Sequence, residues 1–263
     1  MRWRRSVRYT TLLPMMKTEK QTVRNEFPGR FFRISGNKLK MLALLLMIVD
    51  HTGAIFFPGQ LPVTMFGHTY PLLRLIGRLS FPIYAFLLAQ GAVHTSSGIR
   101  YSLRLLLLFV VSEVPYDLVL HGTAWYWDNQ NIFLTLLLGL LVIRVDVEFK
   151  KRFPEPNASM YGVFALAAGC FLAQELHADY GMTGVLMCYL LYLSGKNRIL
   201  QAVSLVLVNV FCYGGIQSYA ALAIVPISLY DGSRGKNSPV LKWAFYVLYP
   251  VHLLVFFLLK IYL

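Results

Sequence analysis

The chain has 263 residues, of which 57% are apolar and only 14% are charged, and its formal net charge is +13. Ordinary soluble domains contain about 45–50% apolar and about 25% charged residues, so this composition argues against a soluble globular protein. The apolar residues form long blocks, each close to the ~17–25 residues that a helix needs to cross ~30 Å of hydrocarbon. Because barrel-type alternating strands are not evident, we expect an all-α, polytopic helical membrane protein.

The N-terminal part of the chain is polar and basic and lacks the apolar core of a cleavable signal peptide. We therefore expect a disordered cytoplasmic tail over residues 1–37, followed by one membrane domain over residues 38–263. Eleven of the 25 basic residues precede Met41. A basic excess beside apolar blocks indicates membrane orientation and contact with anionic membrane lipids, and it argues against nucleic acid as a partner.

About nine transmembrane helices, within a range of eight to ten, are predicted along the chain. In order, the predicted spans are 41–57, 72–93, 103–120, 131–148, 159–176, 181–195, 198–213, 217–231 and 243–261. Every second connection contains Lys or Arg, whereas the alternate connections contain neither. Since Lys and Arg mark the cytoplasmic side, we expect the N-terminus inside the cell, in a bacterial inner membrane. Lys260, at the outer end of the last span, departs from this pattern.

Ionisable side chains at membrane depth cost several kcal/mol and mark a candidate functional site. Here they occur in pairs four residues apart, which share a helix face, and as single residues near the middle of a span. Several helices thus present polar groups between the midplane and the outer face. A water-accessible cleft is expected there, in which two arginines are balanced by three carboxylates. The candidates are Asp50, His51, Arg74, Arg78, Glu113, Asp117, Asn131, Thr135, Tyr249 and His252.

These residue types point to transfer chemistry. A histidine exchanges protons near neutral pH, and two arginines suit phosphates or a developing oxyanion. The set predicts acyl or phosphoryl transfer from a phosphate-bearing donor. The sequence has no glycine-rich phosphate loop, zinc helix or nucleophile elbow, and we expect no metal. The same groups would also suit a proton-coupled transporter or a lipid-linked substrate carrier, or ion pairs that fix helix packing.

Several separated runs, in this order, carry a family resemblance from residue 38 to about residue 260. They are KLKMLALLLMIVDHTGAIFFP, LRLIGRLSFPIYAFLLAQG, RLLLLFVVSEVPYDL, NIFLTLLLGL, ADYGMTG at 178–184 and YVLYPVHLL at 246–254. The chain resembles the TraX family, whose members are associated with N-terminal acetylation of conjugative pilin subunits. That family is similar to transmembrane acyltransferases that use cytosolic acyl-CoA.

The resemblance implies acetyl-CoA as the donor and an acceptor at the outer face, either a peptide amine or a glycan or lipid hydroxyl. In similar acyltransferases a first-span histidine follows a basic residue by a fixed interval, and Lys40 and His51 stand at such an interval. The resemblance implies that His51 is the catalytic base and that Arg74 and Arg78 contact the donor or the transition state. We expect a neighbouring carboxylate to orient His51, and we place Asp50 and Glu113 in the catalytic set as well. We assign Asp117, Asn131, Thr135, Tyr249 and His252 to substrate binding. A non-enzymatic membrane assembly factor remains an alternative.

Overall fold

A computed structural model describes residues 33–65, 67–95, 97–236 and 239–263. For residues 239–243 it describes the backbone only. Most of the expected N-terminal tail, residues 1–32, lies outside the described residues. The described chain is mostly helical, which confirms the expected all-α fold class. The helices are α1 (Gly36–Ile55), α2 (Leu72–Gly77), α3 (Ser80–His94), α4 (Gly98–His121), α5 (Ile132–Arg152), α6 (Asn157–Glu175), α7 (Gly181–Ser194), α8 (Arg198–Val206), a π-helix (Leu207–Tyr213), a 3-10 helix (Gly215–Ala223), α9 (Ile224–Ser228) and α10 (Pro239–Tyr262).

Two helical stretches of the described chain, Leu72–His94 and Ala244–Tyr262, are long and apolar enough to cross a membrane. Three shorter apolar helical stretches are Gly181–Ser194, Arg198–Tyr213 and Gly215–Ser228. Helices α1, α4 and α5 are long, but each carries several charged residues. The number of nine spans therefore stays a prediction.

The predicted span 72–93 is interrupted at Arg78 and Leu79, between α2 and α3. Pro82 lies in the first turn of α3 and has no backbone N–H to donate to the carbonyl of Arg78, four residues earlier. The regular helix is therefore interrupted at this point. The interruption includes Arg78, one of the candidate site residues.

The connection between α1 and α2 contains a short antiparallel hairpin, which is a departure from the all-α expectation. Strands β1 (Pro62–Met65) and β2 (His68–Pro71) pair with Val63 opposite Tyr70. Gly67 lies in the turn with φ +78°, a conformation that glycine adopts without the steric penalty of a side chain. The residues of the hairpin are exposed or half-buried. The alternation of polar and apolar residues along its strands is therefore weak, and the long apolar blocks on either side dominate the sequence.

The packed interior lies between α1, α3, α5, α6 and α7. Its largest fully buried side chains include Phe86, Ile83, Leu140, Met187 and Leu191. A second, smaller apolar cluster joins α1, α4 and α10. At the end of α4, Lys260 Nζ donates to the backbone oxygen of Val119 at 3.0 Å. A cation is favourable at a helix C-terminus, which accounts for the one basic residue that departed from the charge pattern.

Candidate functional site

An elongated cavity of ≈ 310 Å³ lies between α1, α3, α4 and α10. Along α1 it is lined from Lys40 to Ala54, which is about 21 Å at 1.5 Å per residue. The lining therefore follows α1 for about four helical turns, and we call this cavity the channel.

The middle of the channel is apolar and its two ends are polar. Lys40 lies at the inner end, where its Nζ sits 5.1 Å from the centroid of the Phe245 ring. The side chains between the ends include Met47, Leu108 and Leu136. The other end holds the candidate residues Asp50, His51, Arg74, Arg78 and Tyr249, all of which line the same cavity.

Asp50 is held by both arginines. Arg78 forms a fork, with Nη2 donating to Oδ1 at 2.7 Å and to Oδ2 at 2.6 Å, and Nε donating to Oδ1 at 3.2 Å. Arg74 donates to Asp50 through Nη1. Bidentate arginine–carboxylate pairs are among the strongest charge-assisted hydrogen bonds and fix geometry as well as charge. The Asp50 carboxylate thus serves to orient two guanidinium groups.

Arg74 remains the more available of the two arginines. Its side chain is 31% exposed, against 13% for Arg78. Its hydrogen bonds to described residues all come from Nη1, both to the carboxylate and to the backbone oxygen of Asp50. Its Nε and Nη2 therefore lack protein partners within that part of the chain and are open to an anionic group in the cavity.

The close approach of α1 and α2 depends on two glycines. A Cβ atom on Gly77 would overlap the side chain of Asp50, and one on Gly53 would lie 2.7 Å from Cβ of Leu73. Real Cβ atoms essentially never approach that closely. The sequence thus places glycine where a larger side chain would push the arginines away from Asp50.

His51 points toward α10 instead of toward a carboxylate. Its Nδ1 lies 2.8 Å from Nε2 of His252, and Nδ1 of His252 lies 3.0 Å from the backbone oxygen of Leu248. Tyr249 packs edge-on against both rings. The expectation that a neighbouring carboxylate orients His51 is therefore corrected, because successive helix residues point about 100° apart and Asp50 faces α2.

Glu113, Asp117, Asn131 and Thr135 do not line the cavity. Glu113 Oε2 accepts from the backbone N–H of Asn131 at 3.2 Å and from its side-chain Nδ2. Asn131 caps α5, since its Oδ1 accepts from the N–H of Phe133 at 3.0 Å. We expected three carboxylates to balance the two arginines, and the structure corrects this expectation. Of these three, Asp50 alone pairs with the arginines, because Glu113 and Asp117 on α4 face the connection between α4 and α5.

These four side chains support two connections at the outer end of the channel. Asp117 Oδ2 accepts from the N–H of Tyr126 at 2.8 Å, and Thr135 Oγ1 donates to the backbone oxygen of Asp179. The two connections also pair with each other, since Gln130 N–H donates to the oxygen of His177 at 2.9 Å. Their role in the structure is to hold residues that do reach the cavity.

Asn129, Asp179 and Tyr180 are the residues that reach the cavity from these connections, and the sequence assigned them no role. Tyr180 adopts φ +64° and stacks on Phe81 with ring centroids 4.0 Å apart. Burial raises the pKa of Asp179 to about 6, against the opposing effect of Arg78. Both Asp179 and Tyr180 belong to the run ADYGMTG. The acidic residue between two apolar blocks is the feature of the sequence from which they could have been predicted.

A second, more open pocket of ≈ 460 Å³ shares this wall. Asn129, Asp179 and Tyr180 line both spaces. The remaining lining of the second pocket is mostly polar and includes Asp128 and Gln174. We call it the outer pocket. The outer pocket and the channel therefore adjoin each other at these three residues.

The basic residues of the last turn of α5 do not line the cavity. Lys150 pairs with Asp146 at 2.8 Å, and Lys151 and Arg152 pair with Glu148. Arg234 lies close to the inner end instead, since its backbone oxygen accepts from the N–H of Asn37 at 3.0 Å. In the described part of the chain, no group of three or more His, Cys, Asp or Glu is arranged to hold a metal ion.

The geometry defines a helical protein whose ionisable groups meet at one end of a long internal channel. A family model described as TraX protein matches residues 35–260, and the chain belongs to the TraX family. The chain is also 25% identical, over 248 residues, to a Dichelobacter nodosus protein named "Probable fimbrial assembly protein FimC, serogroup H1". That alignment covers 86% of this chain and 95% of the relative. No solved structure matches the chain.

Proposed function

We propose that this protein is an integral membrane acyltransferase of the bacterial inner membrane. It moves an acetyl group from acetyl-CoA to an amine, such as the N-terminus of a pilin or another peptide, or to a hydroxyl. Membership of the TraX family and the relative named for fimbrial assembly support a role connected with pili. The observation that carries the proposal is that His51 and Arg74 line one elongated channel, both near its end.

The membrane location is supported by the outward faces of the helices. Soluble monomers rarely expose contiguous apolar patches beyond a few hundred Å². Here α4 and α6 expose large apolar side chains over several turns, which suits contact with lipid. They include Leu106, Leu107, Val110, Val111, Val163, Phe164 and Phe171. Together with the alternating basic connections, this supports a multi-pass topology with the N-terminus in the cytoplasm.

The channel suits acetyl-CoA in size and charge. Its lining follows α1 for about 21 Å, a length that suits an extended pantetheine arm. In this proposal the nucleotide phosphates stay at the inner mouth, near Lys40 and Arg234. The acetyl group then lies at the far end, beside His51. The apolar middle of the channel excludes water and so limits hydrolysis of the thioester.

The chemistry follows from the groups at that end. His51 takes the proton of the acceptor as its nitrogen or oxygen attacks the thioester carbonyl. The carbonyl oxygen becomes an oxyanion, which Arg74 stabilises through the N–H groups that Asp50 does not use. The C–S bond then breaks, the acetyl group remains on the acceptor, and the CoA sulfur receives the proton from His51. Arg78 and Asp50 hold Arg74 in place.

The outer pocket is the side from which the acceptor approaches. Its wall shares Asn129, Asp179 and Tyr180 with the channel, so an acceptor seated there lies next to the cavity that His51 lines. Its polar lining favours a hydrophilic group over a lipid tail. An acetyl group thus passes from a cytoplasmic donor to an acceptor at the outer face without the donor crossing the membrane.

The test is acetyl transfer by the purified protein in liposomes, with labelled acetyl-CoA and a peptide that has a free N-terminal amine. His51→Ala should lower the transfer rate by about 100-fold or more, the usual contribution of a general base. His68→Ala, which changes an exposed histidine of the hairpin, is the matched control and should leave the rate unchanged. Folded wild-type protein that neither binds CoA nor transfers acetyl groups would contradict the proposal.

A further inference from the structure

The His51–His252 contact determines which nitrogen of each ring carries a proton. The backbone oxygen of Leu248 can only accept a hydrogen bond, so the His252 Nδ1 that lies 3.0 Å from it must be the donor. A neutral imidazole carries one N–H, and Nε2 of His252 is then an acceptor. His51 Nδ1, 2.8 Å from that atom, must therefore be protonated.

The geometry of the two rings supports a directed hydrogen bond. Their planes differ by only 11° and their centroids are 5.1 Å apart. With a nitrogen–nitrogen distance of 2.8 Å, centroids this far apart require the two nitrogens to point at each other along the line joining the rings. The rings therefore meet edge to edge, along the N–H bond of one and the lone pair of the other.

The remaining nitrogen, His51 Nε2, is then the one that carries a lone pair. It has no hydrogen-bond partner among the described residues, and it is not one of their buried unpaired atoms. His51 lines the channel, so this lone pair is presented to the cavity. His51 Nε2 can remove a proton from the acceptor substrate only while the proton of the neutral ring is on Nδ1.

We propose that His252 is a positioning residue that holds His51 in the Nδ1–H tautomer, and that Nε2 of His51 is the atom that removes the acceptor's proton. This inference rests on the proposed acyltransferase function. His252 has the role that a carboxylate has in other nucleophile–histidine systems, where an incorrect tautomer greatly lowers the rate. His252 Nε2 is a neutral hydrogen-bond acceptor. It can therefore fix the tautomer of His51 without the cost of burying another charge near the two arginines.

The first test is direct and does not depend on activity. Nitrogen NMR of ¹⁵N-histidine-labelled protein in lipid should show His51 with a protonated Nδ1 and an unprotonated Nε2, its signals identified by their loss in His51→Ala. The opposite tautomer, with the proton on Nε2, would overturn the inference. His252→Gln should keep the wild-type pattern, since its Oε1 also accepts from Nδ1.

The second test separates positioning from a purely structural role. His252→Phe keeps an aromatic ring but cannot accept a hydrogen bond from His51 Nδ1. It should lower kcat by about 10–100-fold, while KM for acetyl-CoA changes little. His252→Gln should recover most of that loss. If His252→Phe is as active as wild type while His51→Ala is inactive, the inference fails and the acyltransferase function stands. If wild-type protein transfers no acetyl group, the function fails, and the tautomer is decided by NMR alone.

Discussion

At the scale of single residues, the arginine fork is the feature most sensitive to substitution. Arg78→Lys keeps the charge but loses the two-point contact with Asp50, because an ammonium cannot match both carboxylate oxygens at once. We expect acetyl transfer to fall by about tenfold or more. Arg104→Lys, on an exposed face of α4, is the matched control and should be neutral. Unchanged transfer in Arg78→Lys would mean that the two-point contact with Asp50 is not needed for catalysis.

Glu113 supports a connection and lies outside the cavity, so its substitution should affect stability more than catalysis. Glu113→Gln weakens charge-assisted hydrogen bonds to Asn131, worth about 1.5–3 kcal/mol, and should lower the unfolding temperature. Transfer per folded molecule should stay within about threefold of wild type. His51→Ala should show the reverse pattern, slow transfer at near-normal stability. A stable but inactive Glu113→Gln would place Glu113 in the chemistry.

The sequence indicated which residues are unusual but not which of them meet. Asp50, His51, Arg74 and Arg78 stand out because charged or titratable side chains interrupt apolar blocks. Their partners depend on how the helices face each other. His51 meets a histidine 201 positions away, and no local pattern reports such a contact. Asp179 was missed because a single acid in a short connection is ordinary.

At the scale of helices and their connections, the contact between α1 and α2 is the most tightly constrained. Gly77→Ala would introduce a Cβ into the side chain of Asp50 and should destabilise the protein by about 1–3 kcal/mol, as overpacking does. Transfer should fall with it, because the arginines lose their shared carboxylate. The measurement is thermal unfolding of the purified protein together with the acetyl-transfer rate.

Gly36→Ala, at the start of α1, is the matched control for that substitution. The nearest atom to its added Cβ lies 3.4 Å away, which is ordinary contact. Alanine is a better helix former than glycine by about 0.8–1.0 kcal/mol, so stability should stay the same or rise. Equal losses from both glycines would mean that the close approach at Gly77 is not what constrains the site.

Most helices could be predicted from long apolar blocks, and their interruptions could not be placed in advance. A proline in an apolar run indicates a weak point, but where the helix breaks depends on packing. The interruption at Arg78 and Leu79 is followed by Pro82, in the middle of a block (72–93) that looks continuous in the sequence. The hairpin between α1 and α2 was missed because its two strands are short and exposed.

At the scale of the whole molecule, the topology makes a prediction that needs no activity. In a variant without Cys170, Cys188 and Cys212, a single cysteine at Ala124 should react with an impermeant maleimide added to spheroplasts. A cysteine at Lys151 should react only in inverted membrane vesicles. Both positions are exposed and lie on opposite predicted sides. Labelling of both from the same side would refute the predicted orientation.

The measurement that tests the central claim most directly is transfer between two compartments. Proteoliposomes oriented by sorting would receive labelled acetyl-CoA only on the side of Lys151, with an acceptor peptide only on the side of Ala124. The account predicts labelled peptide together with free CoA on the donor side, both absent in His51→Ala. Transfer that occurs only when donor and acceptor share one compartment would contradict a channel that joins the two faces of the membrane.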